Sequence, residues 1–372
     1  MFKKLKQLFS GERPQHHFPE VVVKRIVRET SDTISLYFDL PEGYTYKPGQ
    51  FITFVLQLDG KEVRRSYSLC TSPHVDAEAG VTVKRVDGGL VSNHLNEHLK
   101  EGDRLQIMAP DGKFTLALEA SNARHVVMFA GGSGITPLIS LTKSVLAQEP
   151  QSRVTLVYVN RVPDAIIFRT TLDELEAIYA DRLQVIHVLS RSNDLEGLTH
   201  AVAGRLSGDV LREVRARMAP RPETTEYFVC GPDGMMKTVL EELQAWGVPK
   251  TQIHRESFVT KTDEVALAAA QKQAGAAHAG RQPYVVKVIL EGEEHVIEVA
   301  ANQSILEAAL DLNIDMPYSC QSGMCTACRG RCLSGKVYLD DVEGLSEQEM
   351  AQGYVLTCVG HPLSEDVVIE IG

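Results

Sequence analysis

The stretch Cys320-Gln321-Ser322-Gly323-Met324-Cys325-Thr326-Ala327-Cys328, with a fourth thiol in Gly353-Tyr354-Val355-Leu356-Thr357-Cys358, decides how the rest of the chain is read. Three cysteines at C-x4-C-x2-C spacing and a distant fourth form the ligand pattern of a plant-type [2Fe-2S] cluster, in which four thiolates hold two irons. Each iron needs two sulfurs close together, and the bridging sulfides need backbone N–H groups around them. A tight loop low in bulk meets both needs, and Ser322 and Gly323 suit it. Zinc is the competing reading, but zinc sites usually bring two short C-x2-C knuckles, and only one is present here. Cys332 is a further thiol close behind; the four-ligand set is complete without it, so it is expected to be a buried neighbour.

Such a cluster passes electrons singly, and the rest of the chain is read as their supply. At 372 residues there is room for two or three domains, and 44% apolar with 23% charged residues is ordinary globular composition. No run of eighteen apolar residues occurs, so no membrane-spanning helix is expected. The start lacks the apolar core of a secretory signal, and the cysteines form no disulfide framework, which points to the reducing cytoplasm. From residue 283 onward there are fifteen Asp and Glu against four Lys and Arg, an excess of −11 that equals the net charge of the whole chain. That excess argues against nucleic acid and for a protein partner with a basic docking patch; solubility alone is the blander account.

Phe2, Leu5, Leu8 and Phe9 share a helical face away from Lys3, Lys4 and Lys6, the pattern of a weak membrane-surface contact through residues 2–9. So short a helix is marginal alone, so residues 1–19 are read as a flexible tail. Residues 20–120 have β texture. Apolar runs at 21–27, 33–38, 51–56, 66–70, 80–86 and 104–108, bounded by Pro, Gly and Asp turns, predict an antiparallel β-barrel with one helix at 92–100. In residues 121–259 the period changes. The buried strand His125–Ala130 leads into Gly131-Gly132-Ser133-Gly134-Ile135-Thr136-Pro137 and a helix to Gln148, with Thr136 expected as N-cap: strand, glycine loop, helix start, a phosphate cradle. Strand runs at 154–159, 185–189 and 227–230 alternate with helical segments at 168–179, 209–218 and 235–246, which predicts a parallel α/β sheet. Residues 260–282 are alanine-rich without aromatics and read as a linker. Residues 283–372 open with two alternating strands and a helix capped by Ser304 and Glu307, a small α+β unit from which the cluster loop hangs.

A flavin site needs a cation for its pyrophosphate, a flat aromatic wall and a hydroxyl near its reactive nitrogen. Arg65-Ser66-Tyr67-Ser68 offers all three on a strand whose alternation sets Tyr67 opposite Ser66 and Ser68. The segment Lys84-Arg85-Val86-Asp87-Gly88-Gly89-Leu90-Val91-Ser92 follows, with Ser92 expected at a glycine-led helix start suited to a phosphate.

In this order, Arg-x-Tyr-Ser, Gly-Gly-x-x-Ser, Gly-Gly-x-Gly-x-Thr-Pro, Cys230-Gly231-Pro232 and the plant-type cysteines, the chain resembles the ferredoxin–NADP reductase superfamily with a C-terminal β-grasp ferredoxin domain. Within it the chain looks most like the reductase component of the phenylacetyl-CoA epoxidase system and related oxygenase or desaturase reductases. The resemblance implies electron flow from NADPH through FAD to a [2Fe-2S] cluster and on to a separate oxygenase, hydroxylase or desaturase. It implies that Arg65 holds the FAD pyrophosphate, Tyr67 stacks on the flavin, Ser68 reaches N5 and Ser92 takes the pyrophosphate, with Lys84, Gly89 and Val91 in contact. Gly131, Gly132, Gly134 and Thr136 would cradle the phosphates of the nicotinamide cofactor. Cys230 and Gly231 would lie beside its ring, and Glu256 and Phe258 would close the flavin side. Ser68, Cys230 and Glu256 are thus the expected catalytic set, and Cys320, Cys325, Cys328 and Cys358 the metal ligands. Without the Gly-Pro after it, Cys230 would read as a core thiol, as Cys70 does.

Two alternatives stand beside this reading. The FMN-type, NADH-dependent reductases of Rieske dioxygenases share the domain order but differ around Gly88–Ser92. A redox-sensing regulator would make a complete nicotinamide site wasteful. For cofactor choice, Ser190-Arg191 follows the strand Val185–Leu189, where NAD sites commonly place a carboxylate. A hydroxyl and a cation there suit a 2′-phosphate, and Arg161 after another strand is a second candidate, although a lone Arg is often a solvated loop residue.

Overall fold

The first apolar run does not form one strand in the computed structural model. It divides into β1 (Glu20–Val22) and β2 (Arg25–Thr30), because its halves pair into different sheets. With β3 (Thr33–Phe38), β4 (Phe51–Leu58), β5 (Lys61–Ser68), β6 (Ala79–Lys84) and β7 (Arg104–Asp111), the sheets run β1-β7-β4-β5 and β2-β3-β6, every pair antiparallel. They enclose a core that includes Ile34, Leu36, Ile52, Phe54, Val81 and Ile107. Helix α1 (Leu90–His98) contributes Val91 and Leu95 to that core and begins two residues before the expected start.

The structure describes residues 18–58, 60–218, 224–258 and 283–371, the last range without 291, 301–302, 313, 315, 319–320, 322, 324, 341 and 343. The amphipathic segment at residues 2–9, the linker at 260–282 and Cys320 lie outside the described residues. Compact units divide the chain into Glu20–Lys261, which takes in both the barrel and the parallel sheet, and a second that holds the C-terminal module.

The parallel sheet comprises β8 (His125–Gly131), β9 (Arg153–Asn160), β10 (Leu183–Leu189), β11 (Ala201–Ala203), β12 (Thr225–Gly231) and β13 (Ile253–Ser257), in the order β11-β10-β9-β8-β12-β13. Strands β11 and β13 are too short or too polar to show a buried run in the sequence, yet β13 carries Glu256. Helices α2 (Ile135–Gln148) and α3 (Arg169–Ile178) bury against one face with Val126, Met128, Leu156 and Tyr158. Helices α4 (Gly208–Arg217) and α5 (Asp233–Ala245) cover the other, over Val127, Phe129, Val157 and Val229. Helix α2 starts two residues earlier than expected. Gly134 is its N-cap and Thr136 its second residue, whose hydroxyl donates to the Ser133 carbonyl at 3.0 Å, because a 3-10 turn at Gly132–Gly134 replaces the expected cap.

Three polar contacts join α2 to the barrel: Ser140 Oγ donates to the Thr71 carbonyl at 2.6 Å, Ser144 Oγ to Ser72 Oγ at 2.7 Å, and Lys143 pairs with Asp76 at 3.1 Å. At the far end of α2, the fully buried Glu149 accepts from Arg124 Nε at 3.0 Å, Asn122 at 2.8 Å and Ser152 at 2.7 Å. Burial alone would raise its pKa, but these donors outweigh burial and hold the carboxyl below its ordinary value.

The C-terminal module is α+β. Its strands β14 (Tyr284–Leu290), β15 (Glu293–Val299), β16 (Arg329–Ser334), β18 (Tyr354–Leu356) and β20 (Val367–Ile371) form a mixed sheet in the order β15-β14-β20-β16-β18, while β17 (Val337–Leu339) pairs with β19 (Gly360–Pro362). Helix α6 (Ile305–Asp311) packs Ile305, Leu306 and Ala309 against Val286, Val288, Ile297 and Ile369, and a short α7 (Glu347–Ala351) precedes β18. The predicted capping box at Ser304 and Glu307 is present, with both reciprocal hydrogen bonds.

Removing Glu149 would leave the Arg124 guanidinium, only 14% exposed, without its carboxylate. Glu149→Ala is therefore expected to destabilise the Glu20–Lys261 unit by about 3 kcal/mol, read from the urea midpoint.

Candidate functional site

Parallel register places His187, Tyr158, Ala130, Cys230 and Glu256 in one row across β10, β9, β8, β12 and β13. Residues opposite one another in a sheet share a face, so the row presents one edge of chemistry near the carboxyl ends of the strands. Cys230 is fully buried, and burial with Glu256 beside it keeps its thiol neutral by pushing the pKa well up. Burial likewise pushes Glu256 up to about 8, against a hydrogen bond from Ser68 at the end of β5 that favours the charged form. Glu256 Oε2 is shut off from solvent and has no partner. Ser68, Cys230 and Glu256, far apart in sequence, thus meet at one point. Phe258, just past β13, packs against the core cluster of that face.

Beside this point Gly134 and Gly231 leave no space for a side chain. A Cβ on Gly134 would lie 2.2 Å from the Cys230 carbonyl oxygen, and one on Gly231 would lie 2.9 Å from Gly131 Cα. Gly132 takes φ +52, the left-handed region that glycine adopts freely. The backbones of β8 and β12 therefore abut where a dinucleotide's phosphates would meet the start of α2.

On the barrel, Tyr67 lies partly buried at the edge of the core, its ring 5.7 Å from Phe54, and Arg65 is exposed on the same side of β5. Lys84 ends β6 and pairs with Asp32 at 3.6 Å. Ser92 is the third residue of α1 rather than its start; Gly89 is the N-cap. The Ser92 hydroxyl accepts from the Val86 N–H at 3.0 Å, which leaves its own proton to be donated. Val91 is turned inward to the core.

At the ends of β9 and β10 the chain crosses over. Ser190 N–H donates to the Asn160 carbonyl and Arg191 N–H to the Arg161 carbonyl, both at 2.9 Å. Two exposed arginines from separate loops are thereby neighbours, with a partly exposed hydroxyl alongside. No carboxylate follows either strand directly.

In the C-terminal module Cys325, Cys328 and Cys358 are buried, and the sulfurs of Cys328 and Cys358 are 3.2 Å apart. Gln321 at φ +54 and Gly323 at φ +73 turn the ligand loop, and Gly344 N–H binds the Gly323 carbonyl at 2.8 Å. Among the described residues no three metal-ligating side chains converge; Cys320, the remaining thiol of the pattern, is outside them. Cys332 is half-buried rather than buried. A bulge between Cys332 and Ser334 turns its thiol to the Ser334 carbonyl at 3.1 Å.

Two residues beside the site carry no signal in the sequence. Arg64, buried at 4% exposure, holds Glu62 at 2.7 Å next to the flavin motif, and nothing in its spacing marks it. Tyr158 lies within an apolar strand run and reads there as core.

Comparisons with known proteins cover the same modules. The oxidoreductase FAD-binding domain family matches residues 20–116, the oxidoreductase NAD-binding domain family residues 128–241, and the 2Fe-2S iron-sulfur cluster binding domain family residues 288–363. Over 358 residues the chain is 34% identical to a component of the 1,2-phenylacetyl-CoA epoxidase of Escherichia coli (strain K12), covering 95% of this chain and 97% of that one. It is also 34% identical over 360 residues to the ferredoxin reductase component of 3-ketosteroid-9-alpha-monooxygenase from Rhodococcus rhodochrous, covering 94% and 96%. Among solved structures, phthalate dioxygenase reductase is similar in fold, with a TM-score of 0.57 and 24% identity over 97% of this chain and 100% of that one.

A carboxyl raised to about 8 favours folding fully below its ordinary value of 4.5, and that contribution is lost as pH rises through about 8. Glu256→Gln cannot ionise. It is expected to match wild type near pH 4 and to exceed it by up to about 4 to 5 kcal/mol near pH 9, in urea midpoints taken across that range. Parallel curves would show that the carboxyl is not held neutral.

Proposed function

The chain belongs to the ferredoxin–NADP reductase superfamily with a C-terminal [2Fe-2S] domain, and from that premise we propose that it draws on NADPH and serves the oxygenase component of a multicomponent oxygenase. Its cofactors are FAD, NAD(P)H and a [2Fe-2S] cluster, and it is an oxidoreductase that moves electrons along them. A bound flavin takes two electrons as hydride and releases them singly, which joins a nicotinamide donor to a one-electron cluster.

The observation behind this reading is the meeting of Ser68, Cys230 and Glu256 beside a glycine loop whose Gly134 lies against the Cys230 carbonyl. In this reading Arg65 and Ser92, with Lys84, Gly89 and Val91 around them, hold the FAD pyrophosphate, and Tyr67 covers the ring. Ser68 reaches N5, while Glu256 keeps a proton at hand on a carboxyl that burial leaves neutral. Cys230, as a neutral thiol, and Gly231 wall the nicotinamide without reacting with it. Gly131, Gly132, Gly134 and Thr136 line the phosphates, and Phe258 closes the flavin side. Cys320, Cys325, Cys328 and Cys358 are the cluster ligands, and Cys332 is not. We place the modules at residues 20–120, 121–259 and 283–372, with 260–282 as a tether that keeps the cluster at high effective concentration near the flavin.

For the acceptor, the named relatives are components of epoxidase and monooxygenase systems. The acid excess of the C-terminal module, with Glu293, Glu298, Glu347 and Asp366 exposed, supports a basic docking patch on the partner. The described cysteines are free thiols, which supports a cytoplasmic setting. Affinity capture with the reductase as bait tests the acceptor: an oxygenase that speeds NADPH oxidation, less so as salt rises, is expected, and capture of a hydroxylase or desaturase would redirect the assignment.

Arg191→Ala is expected to weaken NADPH use roughly tenfold to a hundredfold and to leave NADH nearly unchanged, from the loss of one charge-assisted phosphate contact. Equal losses, or a wild-type preference for NADH, would refute the NADPH assignment. Serine at Cys325, Cys328 or Cys358 should abolish the cluster's visible absorbance and its iron while ferricyanide reduction by NADPH persists; Cys332→Ser should keep the cluster.

A further inference from the structure

Tyr158 belongs to no motif. It sits fully buried on β9, in the row that ends at Cys230 and Glu256, and its hydroxyl donates to the Gly132 carbonyl at 2.9 Å. The Ile167 N–H in turn donates to that hydroxyl. The Gly132 carbonyl also accepts from the Ile135 N–H at the start of α2. Burial pushes the phenol's pKa far above neutrality, so it always carries the proton it donates.

The loop needs this hold. Gly132 is left-handed, and a Cβ there would meet nothing within 4 Å, so no packing on that side keeps the peptide from turning over. In a trans peptide the C=O and N–H point in opposite directions, and the structure contains no cis peptide among the described residues. With the Gly132 carbonyl drawn inward to Tyr158, the Ser133 N–H faces the other way. A flipped peptide would instead turn a carbonyl oxygen outward, toward an anion it repels.

We propose that Tyr158 is a positioning residue for the nicotinamide dinucleotide, its hydroxyl fixing the Gly132–Ser133 peptide so that the loop offers an N–H rather than a carbonyl to the cofactor's pyrophosphate. The proposal rests on the reading of the glycine loop as that pyrophosphate's cradle. Since NADPH and NADH share the pyrophosphate, Tyr158 acts on both, unlike Arg191.

The test is anaerobic stopped-flow reduction of the bound flavin in the holoenzyme, which separates dinucleotide affinity from the limiting rate, and it counts only FAD-containing protein so that partial unfolding does not enter. For Tyr158→Phe the expected result is about fivefold weaker binding of both NADPH and NADH, the size of one lost hydrogen bond, with limiting rate, FAD and iron content nearly unchanged. Unchanged affinity, weakening of NADPH alone, or a fall in limiting rate at constant affinity would overturn it. Ser133→Asp tests the cradle by itself, because a carboxylate in the loop should repel the pyrophosphate. Weaker binding in Ser133→Asp but not in Tyr158→Phe would remove the role of Tyr158 and keep the cradle; unaffected binding in both would remove the cradle as well.

Discussion

The approach of Gly134 to the Cys230 carbonyl is the constraint on which the site depends. With 2.2 Å between a hypothetical Cβ and that oxygen, only glycine lets the start of α2 lie against the end of β12. That contact brings a helix N-terminus, a glycine loop and a buried thiol within one small volume. It also fixes where β13 must run, since β12 and β13 are in register, and so where the Glu256 carboxyl points.

The carboxyl in turn needs the barrel. Its hydrogen bond comes from Ser68, on a strand of a different sheet, so the two modules must keep a constant relation within their shared unit. Helix α2 supplies it, because the Ser140 and Ser144 hydroxyls and Lys143 engage the Thr71–Asp76 segment that follows β5. The same helix thus begins at the glycine loop and holds the barrel along its length, while the Glu149 network anchors its last turn. Polar groups suit this role because each is satisfied by a geometrically demanding partner, whereas an apolar seam would tolerate sliding.

The C-terminal module follows different physics. It is small, has its own core under α6, and concentrates the chain's acidity. A one-electron carrier must meet a donor and an acceptor in turn, and a charged surface speeds such encounters.

Much of this was legible in the sequence because it rests on local chemistry. The four-cysteine spacing, the strand–glycine–helix turn, the Ser304 capping box and the alternation of Arg65 to Ser68 each follow from short-range geometry that residue type controls. Helix starts were displaced by a residue or two where a 3-10 turn or a glycine N-cap competed with a side-chain cap, a choice between states of nearly equal energy. Strand β13 showed no apolar run because it lies at a sheet edge, and Cys332 was turned outward by a bulge that no composition reveals. Only the tertiary structure decided which distant groups meet: Glu256 with Ser68 and Cys230, Arg161 with Arg191, Tyr158 with Gly132. Sequence determines the local turn and the face a side chain takes, but register between strands, set by the packing of whole helices on the sheet, determines what lies opposite it.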